Sequence, residues 1–277
     1  MNNNLSVEFM RDTTLGASSS DVGLVVAKAE KGIGDTRIAT LFGIDTNGVT
    51  WEYTGKVRVM DGTAKADGRG TVVRANGERY EGDFRDGAYH GHGTETYADR
   101  SRYEGGWHNG IKHGYGAMVR SNGERFEGDW KNNCPHYGLC TYSGGMSYKG
   151  EWQNNRWHGY GEAAFASGSR YIGDWRANKR HGRGTETYAD GRHYEGYFEN
   201  DKRHGEGTMI YTDDSMYKGE WRNGERHGQG TKTYLRDGTT VWGMWKNDKF
   251  DGLMRVTSRN GNTRWGRWEN DRFVFVG

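Results

Sequence analysis

An aromatic-x-Gly-x-aromatic cluster returns along this chain at almost constant spacing, and that period limits the fold more than any other feature. The cluster reads Tyr80-Glu-Gly-Asp-Phe84, Tyr103-Glu-Gly-Gly-Trp107, Phe126-Glu-Gly-Asp-Trp130 and Tyr148-Lys-Gly-Glu-Trp152. It continues as Tyr171-Ile-Gly-Asp-Trp175, Tyr194-Glu-Gly-Tyr-Phe198 and Tyr217-Lys-Gly-Glu-Trp221, with two worn copies at Val241-Trp-Gly-Met-Trp245 and Arg264-Trp-Gly-Arg-Trp268. The central glycines run from Gly82 to Gly266 in steps of 22 to 24 residues. Self-similarity at such a period marks stacked supersecondary units, each unable to bury its apolar face alone.

Each unit reads as strand, turn, strand, turn. In Tyr80-Glu-Gly-Asp-Phe84 strict alternation puts Tyr80, Gly82 and Phe84 on one face, with Glu81 and Asp83 on the other. An Asn/Asp/Gly/Lys-rich turn follows, then His-Gly (His90, His113, His158, His181, His204, His227), then a second strand such as Gly184-Thr-Glu-Thr-Tyr188. Asp190-Gly191, Asn122-Gly123 and Asp237-Gly238 are hairpin signals into the next copy. The copy at Phe126 fits with one glycine deleted near His136, which accounts for the single step of 22. Glycine inside a strand is unfavourable unless another group must come close. The expectation is therefore that aromatic rings lie over these glycines and stack from copy to copy.

Composition agrees with a fold of that kind. Hydrophobic residues are only 32% of the 277, which alone would suggest disorder, but there is one proline (Pro135) against eleven tryptophans and seventeen tyrosines. The formal charge of +2 gives no support to nucleic-acid binding. No apolar run is long enough for a membrane-spanning helix, and residues 1–20 lack the apolar core of a secretory signal. Two cysteines do not make a disulfide framework, so a cytoplasmic protein is expected.

The stretch Tyr217-Lys-Gly-Glu-Trp-Arg-Asn-Gly-Glu-Arg-His-Gly-Gln-Gly-Thr-Lys-Thr-Tyr234 resembles the MORN (membrane occupation and recognition nexus) repeat almost throughout. The resemblance covers Tyr80 to about Asn270. It implies an all-β fold, an elongated single-layer antiparallel array of tandem β-hairpins with two strands per repeat. It also implies scaffold roles, as in all-repeat proteins of cilia, radial spokes and the cytoskeleton. On this frame residues 1–20 form a flexible tail, 21–50 capping strands and 51–79 a degenerate first repeat with four extra residues. Residues 80–240 hold seven repeats, and 241–277 two degenerate repeats and a C-terminal cap at Arg272 to Val276.

The spacing argues against catalysis. Adjacent strands lie roughly 4.8 Å apart, so equivalent residues in successive two-strand repeats are about 10 Å apart. Zinc ligands must sit at about 2 Å from one ion. The histidine and glutamate columns are therefore expected to be ladders rather than clusters, with each histidine bonded to the turn backbone of its own hairpin. Cys134, His136 and Cys140 match no familiar metal spacing. Gly91-His-Gly93 and Gly32-Ile-Gly34 lack the strand-to-helix context of a phosphate loop. No catalytic, cofactor or metal residue is assigned.

A non-enzymatic scaffold or adaptor for protein partners is the leading expectation, with self-association through terminal strands as a further route. The position before His-Gly is usually Lys or Arg (Lys112, Arg180, Arg203, Arg226), but Tyr89, Trp157 and Phe250 stand there in three copies. These aromatics are candidate partner contacts, set against the simpler reading that each ring covers its own hairpin. Lys179, Arg180, Lys202, Arg203 and Arg226 are candidate contacts for anionic lipid, the alternative function, each worth roughly 1 kcal/mol near such a surface.

Overall fold

The structure, a computed structural model, describes residues 9–11, 24–26, 28–29, 36–45, 47–60 and 63–275. All the elements it describes are strands, gathered into two units, Met1–Ser143 and Gly144–Gly277. In the first unit Lys28–Ala29, Thr36–Ile44, Thr50–Met60 and Thr63–Arg74 pair antiparallel in chain order. The pairing continues onto three hairpins, Arg79–Arg85 with Ala88–Thr96, Arg102–His108 with Ile111–Val119, and Arg125–Lys131 with Cys134–Thr141. The second unit begins with Ser147–Gln153 paired to Arg156–Ala164, Arg170–Arg176 to Lys179–Thr187, and His193–Glu199 to Lys202–Ile210. Ser215–Arg222 with Glu225–Tyr234, Thr239–Lys246 with Lys249–Thr257, and Thr263–Glu269 with Arg272–Phe275 complete it, each hairpin also paired to the next.

Alternation decides which face is buried. In Arg170–Arg176, Tyr171, Gly173 and Trp175 are buried, while Arg170, Asp174 and Arg176 face solvent. The glycines give the ring its space. A Cβ on Gly184 would stand 2.2 Å from the Tyr171 hydroxyl, and one on Gly173 would stand 2.4 Å from the Gly184 Cα. The tyrosine therefore lies across the Gly173–Gly184 pair of its own hairpin, as the strand glycines led us to expect. Its hydroxyl then donates to the Asp174 carbonyl at 3.0 Å, and Tyr80, Tyr103, Tyr148, Tyr194 and Tyr217 make the same bond three residues on.

The turns differ from the sequence expectation. The tight reversal is only two residues, such as Asn200–Asp201 with φ of 49° and 69°, and the second strand starts at once with Lys202. The left-handed pair is the geometry that matches strand twist in a two-residue hairpin. His-Gly is no part of that turn. It lies inside the second strand as a β-bulge, where three residues (181–183) oppose the single Asp174 between the Gly173–Gly184 and Trp175–Arg180 pairs. Gly182 holds φ of 60° there, a conformation glycine adopts without strain. The freed Arg183 N–H is taken by the Asp174 carboxylate at 2.9 Å, and Asp83, Glu151 and Glu220 do the same for His92, Tyr160 and Gln229. By contrast the Asp-Gly segments belong to longer loops, where Asp190 Oδ1 accepts from the Arg192 N–H at 3.1 Å.

The irregular copies keep the same packing by paired changes. Phe126 has no hydroxyl to offer a bulge, and its second strand is one residue short at that point, Asp129 pairing with Tyr137 and Trp130 with Pro135. Val241 has no ring to lay across the hairpin, and Met254, fully buried, stands where the second glycine would be. In 51–79 the four extra residues lengthen both strands beyond the bulge, and Gly55 still pairs with Gly70. Arg272–Phe275 is a short strand that pairs back on Thr263–Glu269, with Trp268 opposite Phe273. Val276 lies outside the described residues. At the other end Phe9–Arg11, inside the expected tail, pairs with Leu24–Val26, and the rest of 1–20 lies outside the described residues.

Gly184→Ala is expected to lower stability by about 1–3 kcal/mol through overpacking. Thr185→Ala on the opposite face should stay within about 0.5 kcal/mol. Urea denaturation followed by circular dichroism measures both, and equal effects would contradict the ring-over-glycine account.

Candidate binding surface

Within each unit the aromatic face links one hairpin to the next. Trp175 meets its own Tyr171 edge-to-face at 4.9 Å and the preceding Tyr148 at 5.6 Å. Phe198 does the same with Tyr194 and Tyr171, and Trp221 with Tyr217 and Tyr194. In the first unit Trp107 bridges Tyr103 and Tyr80, and Trp130 bridges Phe126 and Tyr103. Such ring pairs are worth about 0.5–1.5 kcal/mol each beyond their burial. The indole N–H adds a polar tie, from Trp175 to the Gly161 carbonyl at 3.1 Å and from Trp221 to Gly207 at 3.2 Å.

The aromatics singled out before His-Gly all pack within the aromatic face, Tyr89 and Trp157 over the tyrosine of their own repeat and all three against the next hairpin's aromatic. Tyr89 stacks flat on Tyr80 at 3.6 Å and meets Trp107 edge-on at 5.2 Å, and Trp157 stacks on Tyr148 at 4.5 Å and meets Trp175 at 4.9 Å. Both are buried, and Phe250 is half-buried against Trp245 and Trp268. The expectation that these rings reach out to a partner is corrected for Tyr89 and Trp157, because repeat packing covers them.

Guanidinium groups fill the same place in other repeats. Arg203 lies 4.3 Å from the Trp221 centroid and Arg226 4.4 Å from that of Trp245, while Arg180 lies between Tyr171 and Phe198. Arg180 also donates to Asp201 and to the buried Glu186, and Arg226 donates to Asp248 at 2.9 Å. These three arginines are half-buried and engaged with the rings and carboxylates of the array. Lys179 and Lys202, one residue earlier, are exposed.

The next hairpin's tight turn locks this column in place. Asp201 Oδ1 accepts the Arg180 N–H at 2.9 Å, and the Asp201 N–H donates back to the Arg180 carbonyl at 3.0 Å. Asn178 does the same for Trp157, and Asp271 for Phe250. Sequence reasoning missed this because turn formation alone already accounted for the Asn/Asp-rich segment. Histidine has a different role from the one expected. His90 Nδ1 accepts at 3.4 Å from Asn109, in the following hairpin's turn, whereas the carboxylates of Asp83, Glu151, Asp174 and Glu220 satisfy the bulge backbone of their own hairpins. His108, which is outside the His-Gly column, stands close to two of its members, 5.1 Å from His90 and 6.1 Å from His113, ring to ring. Among the described residues no three His, Cys, Asp or Glu side chains are placed to hold a metal ion. Cys134 and Cys140 are free thiols.

The opposite face is open and mostly charged. Arg79 pairs with Glu81, Arg102 with Glu104 and Arg125 with Glu127, each at 2.7 Å, and Arg170 pairs with Glu162. Set among these are exposed aromatics, Tyr115 and Tyr137 in the first unit and Tyr160 and Tyr197 in the second. The exposed residues that vary between repeats are therefore strand residues of this outward face, not the turn residues that drew attention first.

Burial raises the phenol of Tyr89 to about 12 and pushes Tyr171 and Tyr217 up as well. The unfolded chain loses these protons near the ordinary tyrosine value of about 10. The stabilisation is therefore whole below about pH 10 and is lost as pH climbs toward 12. Phenolate absorbance and circular dichroism should change together in that window. Ionisation of the ladder with the sheet intact would contradict this.

The MORN repeat family model matches residues 80–102, 103–125, 148–170, 171–191, 194–216, 217–234 and 243–263, more than half of the chain. The copy at Phe126, which lacks the hydroxyl and one bulge residue, falls between matched segments, while the one containing Val256, read as worn, is matched from Gly243. No curated protein matches the chain significantly. With its hairpins, ring ladder and bulges accounted for in these matched repeats, the chain belongs to the MORN repeat family.

Proposed function

We propose that the chain is a non-enzymatic scaffold or adaptor that holds protein partners in a larger assembly, cytoplasmic and either cytoskeletal or ciliary. The observation that carries this reading is the division of labour between the two faces. The aromatic face is consumed in joining one hairpin to the next, while the outward face is open and differs from repeat to repeat. Repeat arrays bind through such a surface. The cytoskeletal or ciliary setting rests on resemblance to the all-repeat members of the family. Self-association would use a terminal strand, such as Arg272–Phe275. Lipid binding through basic turns is the weaker reading, because Arg180, Arg203 and Arg226 are committed to ring stacking.

Affinity purification from native extract with mass spectrometry, paired with light microscopy of the tagged chain, tests the proposal. A defined multiprotein complex that survives detergent extraction, located on a cytoskeletal or ciliary structure, is the expected result. Failure to recover a stable protein partner would sink the scaffold reading, above all if the chain sediments with phosphatidylserine vesicles in a salt-sensitive way.

A further inference from the structure

The outward face changes character in the last two copies. The position after the opening aromatic is Glu81, Glu104, Glu127, Lys149, Ile172, Glu195 and Lys218 in the seven clear copies, but Trp242 and Trp265 in the last two. Met244 stands where Asp174 and Glu220 stand in other copies, and Leu253 where Arg183, Glu206 and Gln229 stand. All four side chains are exposed, Leu253 by 56%. The register places Trp242 opposite Arg255, Arg255 opposite Trp265, and Leu253 opposite Arg267. The Arg255 guanidinium lies 5.3 Å from the Trp242 centroid, and the two indoles stand edge-to-face at 6.4 Å on either side of it.

Charge identifies the occupant. Several arginines elsewhere on this face have acids of their own, as Arg170 has Glu162 and Arg183 has Glu195, although among the described residues Arg85, Arg176 and Arg222 at the strand ends do not. Among the described residues neither Arg255 nor Arg267 has a carboxylate within ion-pair distance. A guanidinium held against an indole, its donors free, is shaped for a carboxylate, and tryptophan with arginine is the pairing enriched at protein hot spots. A lipid surface is the poorer fit, since polybasic lipid sites gather about four to eight cations and this cluster has two. We propose that Trp242, Met244, Leu253, Arg255, Trp265 and Arg267 dock an acidic protein segment that also carries aliphatic or aromatic side chains. This names the partner chemistry of the scaffold reading and rests on it.

The full chain would be titrated with a fluorescent synthetic peptide alternating Glu with Phe and Leu, followed by anisotropy. The same peptide with Lys for Glu, and vesicles of phosphatidylserine in phosphatidylcholine, would be run beside it. Trp242→Lys with Trp265→Glu installs residue types that this position carries in other repeats, so the fold is expected to survive, as a thermal melt checks. Saturable binding of the acidic peptide is expected, weakened at least tenfold by that pair and by Arg255→Glu with Arg267→Glu. Lys218→Glu, at the same position one repeat earlier, should leave it unchanged. Absence of saturable binding, equal binding of the Lys peptide, or indifference to both double variants would overturn the proposal. Vesicle binding lost on arginine reversal, without peptide binding, would overturn it in favour of lipid. A failed peptide with a stable complex still recovered from extract rejects the docking site alone, whereas peptide binding with no complex recovered rejects the scaffold reading.

Discussion

Each tyrosine of the array lies flat across two glycines of its own hairpin, and the rest of the fold is arranged around that contact. The ring excludes even a methyl group, since a Cβ on Gly93, Gly184 or Gly207 would stand 2.2 Å from the tyrosine hydroxyl. Because the ring lies low on the sheet, its hydroxyl reaches the carbonyl beside the bulge and its edges stay open to an aromatic from either side. The bulge, the carboxylate that satisfies it and the next hairpin's turn follow from that placement. Where the tyrosine is absent the partners change with it, as Val241 with Met254 shows.

Much of this was legible in the residues. Period-2 alternation in Tyr171-Ile-Gly-Asp-Trp175 gave the buried face, and glycines at strand positions pointed to a ring lying over them. The second strand was read as starting too late because Gly182 is a left-handed glycine, and in a sequence a bulge glycine looks the same as a turn glycine. That error moved Tyr89, Trp157 and Arg180 out of the sheet in the reading, and made packing residues look like surface contacts. Pairing register separates the cases, and register depends on the neighbouring strand rather than on local composition.

The same register bears on function. Residues that recur in every copy are held by their neighbours within the array, through ring edges, indole bonds and turn side chains. Apart from the carboxylates that accept from the bulges, such as Asp174 and Glu220, residues that vary on the outward face have no such duty. A surface assembled this way can change its partner chemistry one repeat at a time without disturbing the packing beneath it. The tryptophans at 242 and 265 stand at positions where other copies carry charge. In the first of these copies Val241 and Met254 replace the tyrosine and second glycine of the aromatic face, and Trp245 still donates to Gly230 at 3.2 Å.

If the hairpins are joined chiefly by rings meeting edge-to-face between neighbours, Tyr194 and Trp221 must be energetically coupled. A double-mutant cycle with Tyr194→Leu and Trp221→Leu, read by urea denaturation, measures this directly. The account predicts a coupling of about 0.5–1.5 kcal/mol for that pair. For Tyr171 with Trp221, which share no ring contact, it predicts additivity within about 0.3–0.5 kcal/mol. Additive losses at Tyr194 and Trp221, or equal coupling in both pairs, would contradict it.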